Sequence, residues 1–493
     1  MSIVATRSSL RTVIALLAAA AAILAATGVV QIEAFQQPSS LKYGLTIAAP
    51  LIALLACTME HPLRLITGLT IVAAPFVGAT ASLASTRVSV LVPLLIAGAG
   101  LAIISAPAGA GRLSSVGVAG VLAFPLLLLP LAIGSSNHSF IVTLGLLLAV
   151  AWLVSQTAQE PGGMKAVLVA VAMSAALQSA IAIWEVRTGH QLNLYGANGN
   201  TQLSAANYVF YYGKTLRPFG SFNNPIALGD VLAIFLPLIC ALGLTARARS
   251  HRIVLLATAL LAGAGIALAL SRAGWIGALG GLTATVLLLP RGLRRRVTPV
   301  LLGGAALIVV VALVVAGPAV RGRFASIANP TAVHGVSAAQ QGPALGDQDL
   351  LQYWHVAIDD AFLGHPIAGI GIDNLGDYLR DRVARSGAGI SAGDAQYLSA
   401  NSTYFQILAE GGLFALALFL LLFRGLYRDL REGLRAFPIL GAGLAGGVVA
   451  LLICWTTDYT IQNEPVAACM AILLGAVAAA GRSGSRIRRA PVG

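Results

Sequence analysis

Two arginines in this sequence stand where a phosphate could meet them. Arg217 lies in LRPFGSFNNPIALGD, residues 216–230, where a long polar stretch runs into an apolar one. Pro218 and Gly220 make a tight turn after it, and Asn223, Asn224 and Pro225 then open a helix. Asparagine supplies a cap, proline is tolerated in the first turn, and the free N–H groups there attract an anion. Taken alone, the pattern fits slightly better an interfacial arginine reaching toward water beside a capping Asn pair. Arg272, in LALSRAGWIGALGG (267–281), occupies a very short connection between two apolar runs. A charge held at the edge of hydrocarbon is costly without a partner, and a diphosphate headgroup would accept a bidentate guanidinium contact.

Acid and base groups are sparse in the apolar runs: Asp230, Glu410, and Asp458 and Glu464 about the last turn. Glu410 follows NSTYFQILAE and precedes Gly411 and Gly412, with Tyr404, Ile407 and Leu408 at helical spacing. It could buffer an arginine, position an acceptor hydroxyl, or form a plain salt bridge between helices. His355, on an amphipathic stretch, and His365, before Pro366, are more often structural at such places, although either could take a proton near neutral pH. Asp347-Gln348-Asp349 has the DxD form that holds a divalent metal, but eight of the 18 acidic residues crowd into 347–394, so the solvated-loop reading is preferred and no metal or other cofactor is expected. Cys57, Cys240, Cys454 and Cys469 lie far apart in apolar runs and indicate neither a disulfide framework nor a zinc site.

The elements that must position these residues are membrane helices. The 493 residues are 57% hydrophobic and 10% charged, which excludes an ordinary soluble protein. A span needs roughly 20 apolar residues, and that rule gives fourteen candidates: 12–30, 41–58, 64–83, 88–106, 115–133, 138–155, 165–184, 224–244, 252–270, 273–290, 298–318, 404–423, 436–456 and 464–481. With the N-terminus inside, alternate connections place 20 of the 31 Lys and Arg on the cytoplasmic side, so both ends are expected there. The net charge of +13 is then a topology code together with contacts to anionic lipid, not a sign of nucleic acid. The expected fold is an all-α polytopic membrane protein: helices 1–7 in 1–184, a first outer loop 185–223, helices 8–11 in 224–318, a large outer loop 319–403, helices 12–14 in 404–481 and a basic tail 482–493. Within the large loop, Leu351, Trp354, Ile358 and Phe362 share a helical stripe. GHPIAGIG (364–371) is a glycine-rich turn before a second amphipathic stretch, Asn374 to Arg385.

RPFGSFNNP leading into a helix, SRAGW opening another, an outer loop carrying Trp354, Pro366 and GIGIDN, and NSTYFQILAEGG entering a helix come in an order that resembles the O-antigen ligase and O-antigen polymerase superfamily, over roughly 200–425. The resemblance implies a membrane glycosyltransferase C-type fold in the bacterial inner membrane. It also implies transfer of glycan from an undecaprenyl diphosphate carrier at the periplasmic face, without a metal, to a glycan or lipid A core acceptor. Other polysaccharide-assembly proteins and membrane lipids would be partners. Arg217 and Arg272 match the arginines that hold the carrier diphosphate, Asn223 and Asn224 would shape that pocket, and Glu410 with Asn401 would face the acceptor beside Tyr404, His355 and His365.

One departure bears on mechanism. The ligases carry a histidine before the Tyr-x-x-x-Leu-x-Glu-x-Gly run, and this chain has Asn401, which takes no proton. Either His355, His365 or Glu410 replaces it, or the chain is polymerase-like and joins carrier-linked units to one another. The last reading is favoured. A flippase or solute permease is the rival from another class. It calls for internal repeats, broken helices and midplane charges, which the sequence does not display. A scaffold for envelope assembly would tolerate loss of both arginines.

Overall fold

The computed structural model describes residues 61–76, 80–83, 86–89, 94–95, 97–99, 101–102, 139–189, 211–212, 215–222, 224–328, 354–372, 374–378, 381, 399–460 and 464–489. The expected spans 12–30, 41–58 and 115–133, most of 88–106, Asn223 and the DxD triplet lie outside them. Ten long helices follow in order among the described residues: α1 Pro62–Ala73, α2 Ser139–Gln159, α3 Gly163–Thr188, α4 Pro225–Thr245, α5 Arg249–Ala269, α6 Arg272–Leu288, α7 Arg291–Ala328, α8 Thr403–Ala436, α9 Pro438–Thr457 and α10 Glu464–Arg489. Six of them, α3, α4, α5, α8, α9 and α10, are long and apolar enough to cross a membrane. Two short antiparallel ribbons interrupt the helical pattern: β1 Thr80–Leu83 with β2 Thr86–Ser89, and β3 Tyr211–Tyr212 with β4 Thr215–Leu216.

The sequence expectation of one span over 64–83 therefore differs from the structure. The α-helix stops at Ala73, a 3₁₀ turn carries the chain to Phe76, and Thr80–Leu83 pairs as a strand. Pro75 explains the stop, since it has no N–H for the ladder and its ring crowds the carbonyl of Ile71. Elsewhere the helices outrun the apolar stretches that identified them: α8 continues through Arg424, Arg428 and Arg431 to Ala436, and α10 to Arg489.

α4 is the central post. In its spanning stretch 94% of the residues are buried, against 39% in α8, and α3, α5, α6 and α9 pack around it. Such contact needs small residues, because lipid gives helices no hydrophobic reason to associate and backbones must approach closely. α6 and α9 supply them. A Cβ on Gly281 would stand 2.7 Å from the carbonyl oxygen of Gly446, and one on Gly277 2.6 Å from Cys454 Sγ. α4 and α6 cross just as tightly near their first turns, where a Cβ on Gly274 would lie 3.0 Å from the carbonyl carbon of Gly229.

The large loop is stitched into α8. That helix breaks at Gly412 (φ 61, ψ −160), and four backbone groups leave the helical ladder. Residues 366–371 take them up: Leu413 N–H donates to Pro366 (2.8 Å), Phe414 N–H to Ile367 (3.1 Å), Ile370 N–H to the Ala409 carbonyl (2.9 Å) and Gly371 N–H to that of Glu410 (3.0 Å). A Cβ on Gly369 would run into the Glu410 backbone, which fixes why GIG meets AEGG here. The sequence gives no sign of a broken helix, so the break is a difference from expectation. It is filled by the chain's own loop, and so does not leave the open backbone that a permease offers its cargo.

The amphipathic stretch 348–362 also departs from its reading. Val356–Phe362 winds as a π-helix, and the buried residues are Ala357 and Ala361 rather than the 354/358/362 stripe. They pack with Leu375, Ala400 and Ala409, and Trp354 sets its ring edge-on to Phe405 at 5.0 Å.

Candidate active site

The turn that carries Arg217 is held from below by α3. The carboxylate of Glu185, fully buried, accepts the N–H groups of Phe219 and Gly220 through one oxygen, each at 2.9 Å. Seven residues earlier on the same helix face, Gln178 Oε1 accepts the Ser221 N–H at 2.9 Å and lies 3.0 Å from its hydroxyl, which also reaches the Pro75 carbonyl at 2.8 Å. Gly220 sits at φ 62 against Gln178, where a side chain would be both strained and obstructed. Neither Glu185 nor Gln178 stands out from sequence motifs. The usable signal was their spacing: two polar side chains seven apart share one face of an otherwise apolar helix.

With its turn so fixed, Arg217 is buried and points at the end of α5. Its Nε donates to the Ala269 carbonyl at 3.1 Å and its Nη2 to the Leu270 carbonyl at 3.5 Å. A cation there satisfies carbonyls left over at a helix C-terminus and opposes the negative end of the dipole. Leu270 takes the left-handed conformation (φ 53) that ends α5, Ser271 caps α6 by accepting the Gly274 N–H at 3.1 Å, and Arg272 is the first residue of α6. Trp275 closes the corner through Nε1–H to the Ile266 carbonyl, 3.0 Å. Every residue of SRAGW thus has a place: cap, first-turn cation, spacer, close approach and lock. The structure brings Arg217 and Arg272, 55 positions apart, to the two ends of the Leu270–Ser271 connection.

The second turn of α4 packs on the same corner. Asn224 caps the helix by accepting the Ile226 N–H at 2.8 Å, Pro225 follows, and Gly229 presses on Ser271. The Arg217 guanidinium, the start of α6 at Arg272 and the early part of α4 therefore share this corner, a setting in which an anion is favoured.

On the acceptor side the expected residues separate. Asn401 takes a left-handed conformation (φ 46) and is hydrogen-bonded with Ser399, 3.2 and 3.3 Å. Thr403, which opens α8, donates its N–H (3.2 Å) and its hydroxyl (2.9 Å) to the Asp458 carbonyl at the end of α9. Tyr404 gives its hydroxyl to the Leu452 carbonyl at 2.9 Å, tying α8 to α9. Glu410 is buried and its Oε1 accepts from Leu375 N–H (3.2 Å) and Gln406 Nε2 (2.7 Å), so it anchors the outer loop to α8. His355 is exposed and pairs with Asp359 at 2.9 Å, and His365 is exposed in the turn before the stitched segment. Neither histidine is among the groups gathered about the arginine corner.

A model of the O-antigen ligase family matches residues 256–420, about a third of the chain, from within α5 through the outer loop to the first half of α8. The resemblance to the O-antigen ligase and polymerase superfamily is shown over that stretch, which holds Arg272, His355, His365, Asn401, Tyr404 and Glu410. The Arg217 turn and α9 fall outside it. No curated protein matches the chain. Residues 256–420 are thus similar to the O-antigen ligase family, in a chain whose described residues include six helices long and apolar enough to cross a membrane.

Proposed function

We propose that this chain is an inner-membrane glycan transferase that takes undecaprenyl-diphosphate-linked glycan at the periplasmic face and joins it to a second glycan for surface polysaccharide, as a polymerase. The observation that carries the reading is the corner at 269–272, where the Arg217 guanidinium binds the end of α5, Arg272 opens α6 and Gly229 of α4 packs on Ser271. The leaving group of such a transfer is a lipid diphosphate. Guanidiniums and helix N-termini fixed before it departs stabilise the charge that grows on the leaving oxygen, with no reorganisation at the moment of reaction. The acceptor oxygen attacks the anomeric carbon from the opposite face, which inverts it. Arg64, Arg249, Arg291 and Arg424 to Arg435 lie at the opposite ends of the helices and outnumber Arg187 and Arg321 on the corner's side, which supports placing the corner outside.

Arg272→Ala is the cleaner test, because Arg217 also caps α5. In a deletion strain complemented with Arg272→Ala, surface polysaccharide is expected to disappear at unchanged protein level; a normal glycan profile would sink the diphosphate reading. The polymerase reading draws on Asn401, since residues 399–403 offer no group that titrates. Gel analysis of glycan from the deletion strain separates it from attachment to lipid A core. Loss of chain ladders with single units still attached marks a polymerase, and long carrier-linked chains that never reach the core mark a ligase.

A further inference from the structure

Resting on the proposed transfer, a second question is which group receives the acceptor's proton when Asn401 cannot. Three candidates named from sequence are otherwise engaged or misplaced: the Glu410 carboxylate holds Leu375 and Gln406, His355 lies on the exposed face of the π-helix, and His365 is exposed in a turn.

We propose that Asp458 takes that proton, with Asp230 behind it as the residue that positions it. Asp458 ends α9 and is half-buried, and its carbonyl holds both the N–H and the hydroxyl of Thr403, two residues after Asn401. Ser402 adds a longer contact, its hydroxyl 3.4 Å from the Trp455 carbonyl. The end of α9 is thus latched to the Asn401 turn. Asp230, on α4, is 1% exposed and lies against Cys454, Asp458 and Thr460. Neither of its carboxylate oxygens has a hydrogen bond of good geometry among the described residues. Buried polar groups are nearly always satisfied, and an acid left so in a membrane helix marks a site. Its neighbour Gly229 presses on Ser271, next to Arg272. Consecutive residues of α4 therefore touch the donor corner and the acid that borders the acceptor turn.

In the transfer, the acceptor O–H bond breaks and its proton passes to the Asp458 carboxylate. The freed oxygen pair forms the new bond to the anomeric carbon, and the electrons of the old carbon–oxygen bond leave with the diphosphate beside the arginines. No further reactant is needed.

The test uses full-length chains in membranes of the deletion strain, with the strain's own lipid-linked glycan as probe. Asp458→Asn is expected to lower glycan product about a hundredfold or more, the range for loss of a general base, while protein level and co-purified polyprenyl diphosphate stay as in the native chain. Asp458→Glu restores part of the product. Asp230→Asn lowers product roughly tenfold alone and adds nothing to Asp458→Asn, because residues that act as a unit are not additive; additive losses would make Asp230 merely structural. Normal product from Asp458→Asn overturns the proposal. Should that chain fail to accumulate, the Glu variant decides: product supports the carboxylate, none overturns it. Arg272→Ala is run beside them. It loses product and bound carrier together, and if it keeps both, the transfer reading itself fails whatever Asp458 shows.

Discussion

Arg217 gives its guanidinium to the end of α5, and the turn that aims it depends on residues that never touch the corner. Gly220 is the most sensitive of these, at φ 62 with Gln178 Oε1 2.6 Å from where a Cβ would stand. Gly220→Ala is expected to cost about 1–2 kcal/mol from the left-handed backbone alone, with more from displacing Gln178. The readout is thermal unfolding of the detergent-purified chain, where a melting point equal to the native one would contradict the account. Glu185→Ala leaves the Phe219 and Gly220 N–H groups unpaired in a dry place, about 1–3 kcal/mol for each. It should fall below the detectable level in membranes, whereas Glu185→Gln retains an oxygen that can accept both. The arginines and the Asn224 cap were legible as local chemistry because a cap or a first-turn cation is written in adjacent residues. Glu185, Gln178 and the Asp230–Asp458 contact were not, because each joins elements far apart in the chain.

Among the elements, α8 is the one the sequence reads least well. Hydropathy finds its apolar half, but the break at Gly412 depends on 366–371 arriving from a loop, which no window over α8 can contain. Gly412→Ala would set a Cβ 2.5 Å from the Ile367 carbonyl oxygen. Expelling the loop strands four backbone groups, each costing several kcal/mol in lipid. The expected result is rapid proteolysis within 364–371 and loss of folded protein, while Gly364→Ala, with nothing within 4 Å, changes neither. The π-helix at Val356–Phe362 escaped for a related reason: a helical stripe drawn at ordinary spacing misplaces the buried face once the winding widens.

At the scale of the molecule, charge sorting was the most informative sequence feature, since helix ends carrying Arg249, Arg291 and Arg435 lie opposite those carrying Arg187 and Arg272. Chemical labelling checks it directly. Cys240, Cys454 and Cys469 are buried, so in a chain with Cys57 replaced by Ser an introduced surface thiol reports its own side. Thr188→Cys should react with a membrane-impermeant maleimide in spheroplasts, and Ser250→Cys only after the membrane is opened; the reverse pattern would invert the topology and move the arginine corner to the cytoplasm. The stitched loop has a further bearing on how such a chain is made. Gly412 lies nine residues into α8, roughly 13 Å along the axis at 1.5 Å per residue, so its unladdered backbone groups enter the membrane with the helix. Residues 366–371 precede α8 and are synthesised first, so the piece that completes the helix is already waiting when the helix is threaded in. The order of translation is here the order of assembly, and a rearranged gene that delivered α8 before its loop would insert a helix with four bare groups and nothing to answer them.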